Sequence, residues 1–195
     1  MPTVIVSFAR TPIGKFLGKL SSVKAPELGA TAIKGALDKA SGSADQLPFT
    51  ISEAFMGNVV SAGIGQAPCR QAIVGAGLPE STVCTTINKV CASGMKSVML
   101  GSQAIAAGSV GNQAIIAGGF ESMSNIPHYL HNSRAGTSLG NTQLIDGLIH
   151  DGLWDPYDDQ HMGKSSRSSQ VVGGDVDVCG VNSPFIASPF SIMCH

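Results

Sequence analysis

Charged and aromatic residues are scarce in this chain. Of its 195 residues, 13% are Asp, Glu, Lys or Arg, 5% are Phe, Trp or Tyr, and the formal net charge is −1. A near-neutral chain carries no basic field that would gather nucleic acid. At 43% hydrophobic residues it is no disordered polyelectrolyte either. No apolar run reaches the roughly 18 residues of a membrane-spanning helix, so no membrane partner is expected. The opening apolar stretch, Val4–Ala9, is too short for a secretory leader, and no basic residue precedes it. There is no Arg- and Ser-rich transit segment, which leaves the cytoplasm as the expected compartment. No Cys-x-x-Cys pair occurs among Cys69, Cys84, Cys91, Cys179 and Cys194. All five are expected to be free thiols, with no structural zinc site.

Glycine, by contrast, is abundant, with 24 residues. With few large rings to fill space, a core here must be closed by near approach of backbones at small residues. Residues 1–40 hold six Lys or Arg against two Asp or Glu, and the remainder six against eleven. That asymmetry is too mild to name a partner. The length suits one domain, or one domain and a small second one.

Strand-like and helix-like segments alternate along the first 119 residues. Val4–Ala9 is a short apolar run of strand length. Pro26 and Glu27 suit a helix start. Leu28, Ala32, Ile33, Ala36, Leu37 and Ala40 follow at helical spacing, and Ser41-Gly42 can stop the helix. Ile51–Val60 reads as a second strand. A second Pro-started helix spans about Gln66–Gly77, a third strand Val83–Asn88, a helix Ala92–Ala107, and a fourth strand Gln113–Ala117. This alternation predicts an α/β layer with a largely parallel central part. Residues 120–163 are rich in Asn, Ser, Gly, His and Asp and read as a long excursion with minor helices. After Ser165 only Val171-Val172 and Val176–Val178 suggest strands, and no unit there would build a domain.

The helix Ala92–Ala107 has Lys96 as its only charge and small or apolar residues on every side. A helix without a polar face is expected to be buried all round. One α/β layer covers one side of it, so a second domain or another subunit is expected to cover the other.

Cys91 is the sharpest chemical candidate. It falls between the third strand and the start of this helix. Unpaired N–H groups and the dipole at a helix N-terminus favour a thiolate. The same groups can stabilise an oxyanion formed when the thiolate attacks a carbonyl or thioester. Ser93 and Gly94 leave room for a substrate near the backbone. From position alone, a buried and inert thiol is the alternative. Cys69 and Cys84, inside a helix and a strand, read as packing residues.

The segment Asn88-Lys89-Val90-Cys91-Ala92-Ser93-Gly94-Met95-Lys96 resembles the nucleophile segment of the thiolases. Other stretches match in order and spacing: Ala9-Arg10-Thr11-Pro12-Ile13-Gly14, Gly57-Asn58-Val59, and Gly65-Gln66-Ala67-Pro68-Cys69-Arg70-Gln71-Ala72. Gly118-Gly119-Phe120-Glu121-Ser122-Met123-Ser124-Asn125, Asp151-Gly152-Leu153 and His161-Met162-Gly163 complete the set. Phe120 stands where that motif usually has Met, a change expected to be absorbed in packing. The resemblance covers about residues 3–163 and is to thiolases of the short-chain, acetoacetyl-CoA type.

The resemblance implies the N-terminal half of the thiolase fold: an α/β domain over 1–119, a partial loop domain over 120–164, and a divergent tail over 165–195. It implies that Cys91 takes an acetyl group as a thioester, with its backbone N–H in an oxyanion site. A second acetyl-CoA then attacks to give acetoacetyl-CoA. Leu153, His161 and Met162 would line the pantetheine and acyl pocket. Coenzyme A thioesters are the implied substrates, with no other cofactor, and the implied assembly is a homo-oligomer. Read without the family, His161 is a polar loop residue, and Leu153 and Met162 belong to a minor core. His128 and His131 share a His-x-x-His spacing without further ligands, so no metal is expected. Arg10 and Arg70 read as residues that hold turns or a subunit contact, and Glu121 as structural.

Past Lys164 the motifs stop. The Asn-Glu-Ala-Phe, Gly-His-Pro and Cys-x-Gly-Gly-Gly segments, which supply the activating His and the acid/base Cys, are not found in these 195 residues. Cys179 lacks the glycine run and does not take that role. The helix Ala92–Ala107 is then expected to leave an apolar face uncovered. Three expectations stay open: catalysis completed by groups from another chain, a non-catalytic fragment that binds acyl-CoA weakly or pairs with full-length subunits, and a product with no function of its own.

Overall fold

Pro26 and Glu27 do open a long helix. Proline needs no N–H in the first turn, and glutamate complements the helix dipole. The computed structural model describes residues 3–41, 49–109, 113–136, 139–164 and 190–194. This helix, α1, runs Ala25–Ser41. It follows strand β1 (Ile5–Arg10). After it come β2 (Ile51–Gly57), α2 (Pro68–Gly75), β3 (Val83–Ile87), α3 (Ser93–Ala106) and β4 (Ala114–Gly119). Strand β2 stops at Gly57 rather than Val60 because the Val59 and Val60 N–H groups are taken by the Glu121 carboxylate.

The main sheet has the order β1-β9-β4-β2-β3, where β9 is Phe190–Cys194. Strand β2 runs parallel to both β3 and β4, which is the expected parallel centre. Strand β9 is antiparallel to β1 and to β4, pairing Arg10 with Phe190 on one side and Gly119 with Phe190 on the other. This strand belongs to the segment after Ser165, in which the sequence suggests no unit that would build a domain. A five-residue strand between two neighbours has no room to show a period in the sequence. The strands suggested at Val171-Val172 and Val176–Val178, together with Cys179 and Gly42, lie outside the described residues.

Helices α1 and α2 cover one face of the sheet. Ile33 and Leu37 from α1, Ile73 from α2, Met56 from β2 and Ile116 from β4 are all fully buried in that core. Each contributes about 1.5–3 kcal/mol by leaving water. Helix α3 lies on the opposite face, since Gly101 meets Ile115 and Ala117, the β4 residues that alternate with Ala114 and Ile116. Its buried residues are Ser93, Ser97 and Gly101, so small side chains let it sit close to the strands. Among the described residues this helix is covered by the sheet on one side and leaves apolar residues uncovered on the other, as expected. Met95 is 69% exposed and Met99 49%.

Residues 120–164 form small pieces, as expected of an excursion. β5 (His128–Tyr129) pairs with β6 (Ile145–Asp146), and β7 (Trp154–Asp155) with β8 (Gln160–His161). A wide helical turn spans Ile149–Leu153. The Tyr129 hydroxyl donates to the Asp151 carboxylate, which ties that turn to β5. Among the described residues no helix is long and apolar enough to cross a membrane.

Candidate active site

The C-terminal ends of β2 and β4 and the N-terminus of α3 meet at three glycines. A Cβ built on Gly57 would lie 2.6 Å from the Gly94 nitrogen and 2.8 Å from the Ser93 Cβ. One built on Gly119 would lie 3.1 Å from the Gly57 carbonyl oxygen and 3.3 Å from the Gly94 Cα. Side chains at Gly57 and Gly119 would push the helix start away from the strands. Their absence brings the positive end of α3 down onto the ends of two parallel strands, where α/β sheets bind ligands.

Cys91 is exposed at that point, two residues before the first residue of α3. The buried-thiol alternative therefore does not describe it. The turn that carries it is wired by its own side chains. The Asn88 amide accepts the Val90 N–H at 3.0 Å and donates to the Val59 carbonyl at 3.1 Å. The Ser93 hydroxyl accepts the Lys89 N–H at 2.8 Å and donates to the Val90 carbonyl at 2.6 Å. Ser93 thus shapes the turn, a role beyond the room for substrate that its small size suggests in the sequence. The signal that could have found it is a small hydroxyl residue in a first helical turn, which favours hydrogen bonds to nearby backbone.

A pocket of about 350 Å³ opens at Cys91. It is lined by Val59, Val60, Phe120, Leu148, Leu153 and Met162, among others, with Glu121 at one side. Leu153 and Met162 thus line it, and His161 does not. His161 sits on β8 beside Met162, where its Nδ1 accepts the Gly163 N–H at 3.0 Å. Phe120 is 3% exposed, and its ring fills the space left by Gly29, where a Cβ would come within 2.5 Å.

Glu121 is a hub. One oxygen accepts the Val59 N–H at 2.7 Å, and the other accepts the Asn58 amide at 2.9 Å and the Val60 N–H at 3.3 Å. Burial pushes its carboxyl above the ordinary range, and these three donors pull it back. The following residues pin the loop before α1. Ser122 donates to the Val23 carbonyl, Asn125 donates to the Ser21 and Val23 carbonyls, and Ser124 accepts the Leu17 N–H. Arg10 and Arg70 each donate to a backbone carbonyl, of Thr11 and Glu80. Burial, with Cys84 beside it, pushes the Cys69 thiol up to about 12, which suits an inert packing residue. Among the described residues no group of three or more His, Cys, Asp or Glu is arranged to hold a metal.

The chain matches the model of the thiolase N-terminal domain over residues 3–171. Acetyl-CoA acetyltransferase 1 of Arabidopsis thaliana is 55% identical over 159 residues, which are 82% of this chain and 37% of that protein. The cytosolic acetyl-CoA acetyltransferase ERG10 of Gibberella zeae is 52% identical over 166 residues, 85% of this chain and 40% of that protein. The mitochondrial acetyl-CoA acetyltransferase of Homo sapiens is 47% identical over 184 residues, 92% of this chain and 41% of that protein. The chain spans about two fifths of the length of these curated relatives. The family match continues to residue 171, past Lys164 where the quoted motifs end. A likeness first carried by a few short segments holds across the whole α/β layer, and the chain belongs to the thiolase family through its N-terminal domain.

Proposed function

We propose that this chain supplies the acyl-accepting part of a thiolase-type acetyltransferase, with Cys91 as the nucleophile. The observation that carries this reading is an exposed thiol at the head of α3, opening on a largely aliphatic pocket. The Cys91 sulfur attacks the thioester carbonyl of acetyl-CoA. The carbon–sulfur bond to coenzyme A breaks, leaving acetyl-Cys91 and the coenzyme A thiolate. The Cys91 N–H, at the head of α3, stabilises the oxyanion that forms on the way. The carbanion of a second acetyl-CoA then attacks the thioester, releasing acetoacetyl-CoA and the Cys91 thiolate; thiolysis is the reverse. Leu153 and Met162 face the acyl and pantetheine chain, while His161, which holds the Gly163 N–H, stands outside the pocket lining. The substrates are coenzyme A thioesters, with no other cofactor. The compartment proposed is the cytoplasm, as for the Gibberella zeae relative, and the assembly is a homo-oligomer.

The two halves of this cycle make different demands. Acetyl transfer to Cys91 needs a nucleophile and an oxyanion site. Carbon–carbon bond formation also needs a base that takes a proton from the methyl group of acetyl-CoA. Among the described residues lining the pocket, the ionisable side chains are Cys91 and Glu121. Both Glu121 oxygens accept N–H donors from Asn58, Val59 and Val60, which supports a structural role for this carboxylate. General-base help is worth about 10²–10⁴-fold, and this reading assigns it to none of the described residues lining the pocket.

The test pairs mass detection of acetyl-Cys91, after incubation with acetyl-CoA, with an acetoacetyl-CoA thiolysis assay. Slow acetylation of Cys91, absent from Cys91→Ala, is expected, with thiolysis at least about 10²-fold below a full-length relative. No acetyl on Cys91 would overturn the nucleophile. Fast thiolysis that Cys91→Ala abolishes would show that a base is present among these residues. The exposed Met95 and Met99 favour a second reading, in which the chain acts by pairing with other thiolase subunits.

A further inference from the structure

We infer that Ser93 is a positioning residue for Cys91, acting by holding Val90 in a backbone conformation that a β-branched residue resists. The inference rests on the reading of Cys91 as nucleophile. Val90 has φ of +46°. Left-handed backbone is rare for any residue with a side chain and a true outlier for valine. Such strain persists only where the surroundings over-determine it.

The surroundings here do so from both sides. The peptide group before Val90 is held by Asn88, whose Oδ1 accepts the Val90 N–H. Asn88 is itself fixed, because its Nδ2 donates to the Val59 carbonyl and the Val59 N–H is held by Glu121. The peptide group after Val90 is held by Ser93, whose hydroxyl receives the Lys89 N–H and donates to the Val90 carbonyl. Ser93 is 4% exposed, so water does not compete for that hydroxyl. The Val90 carbonyl and the Cys91 N–H belong to one trans peptide, and in such a peptide they point in opposite directions. By drawing the carbonyl toward the helix, Ser93 turns the Cys91 N–H away from itself and fixes where the Cys91 side chain leaves the backbone. Without the hydroxyl only the longer bond from the Ser93 backbone N–H, at 3.1 Å, remains on the Val90 carbonyl, so the strained φ of Val90 and the Cys91 peptide are held less firmly.

The experiment is alkylation of the full chain by iodoacetamide across neutral to alkaline pH, with each cysteine followed by peptide mass spectrometry. In the parent chain Cys91 is expected to react fastest. Ser93→Ala is expected to slow Cys91 by about tenfold at neutral pH and to move its pH profile, while the buried Cys69 stays unlabelled. Adding Val90→Asn to Ser93→Ala is expected to restore most of the rate, because asparagine adopts positive φ readily. Asn88→Ala, at an exposed position, is expected to slow Cys91 in the same way. An unchanged Cys91 rate in Ser93→Ala would overturn the inference. So would a parallel rise in Cys69 labelling, which reports general loosening, or a failure of Val90→Asn to restore the rate. If Ser93→Ala does not fold, an unchanged Cys91 rate in Asn88→Ala overturns the two-sided brace. Sluggish Cys91 in the parent chain overturns the nucleophile reading itself, which keeps the two failures apart.

Discussion

Gly57 and Gly94 face each other across the end of β2, and a methyl group has opposite consequences at the two. At Gly57 it meets backbone atoms of Ser93 and Gly94 that cannot move without lifting the head of α3. At Gly94 the nearest atom, the Gly118 carbonyl oxygen, is 3.8 Å away, an ordinary contact. Gly57→Ala is therefore expected to lower stability by about 1–3 kcal/mol, the scale of overpacking. Gly94→Ala is expected to stay within about 1 kcal/mol of the parent and can gain from helix propensity. Urea unfolding of the two variants side by side checks the contrast. A tolerant Gly57 would mean that the helix is not seated on the strands as described. The sequence made Cys91 legible because a thiol before a helical pattern is a local feature. Glu121 read as structural, but its partners, like the roles of Asn88 and Ser93, stayed illegible, because most of those partners are backbone groups chosen by the fold. Residue types alone do not disclose those partners.

At the scale of elements, the helices and strands of residues 1–119 were readable because each carries its own punctuation. Pro26 and Pro68 stand at the first turns of α1 and α2, and glycines follow β2 and close β4. The order of the strands was less readable. Strand β9 inserts between β1 and β4 from the far end of the described chain, and nothing near Phe190–Cys194 announces its partners. Its insertion has a measurable consequence. Strand β1 touches the sheet through β9 alone, its other support being α1, where the Ser7 hydroxyl donates to the Ala36 carbonyl. Removing Phe190–Cys194 is expected to strip the ladder hydrogen bonds from both β1 and one side of β4. Hydrogen exchange should then quicken strongly at Ile5–Arg10 and remain slow in β2. Equal protection of β1 with and without those residues would show that α1 holds it unaided.

Among the described residues both faces of the sheet carry helices, but α3 leaves its own outer side exposed. Helices α1 and α2 shield one face of the sheet. On the opposite face Met95 and Met99 of α3 stand out, 69% and 49% exposed. Contiguous apolar surface above about 300–600 Å² marks an interaction or aggregation site. The expectation is concentration-dependent association, seen by sedimentation or light scattering, and reduced in the pair of variants Met95→Glu and Met99→Glu. A chain that stays monomeric at high concentration would show that this face tolerates water. The lack of charge in α3 made that face legible in the sequence, though what covers it is not written in these residues. The position of β9 carries one more implication, which concerns time. A strand at the start of the sequence finds its ladder partner only after nearly everything between has been made. Growing on the ribosome, β2, α2, β3, α3 and β4 can assemble among themselves, while β1 waits with α1 for a strand synthesised much later. Such long-range closure is slow. Until it happens, the open edge of β4 can accept a strand from any neighbouring chain.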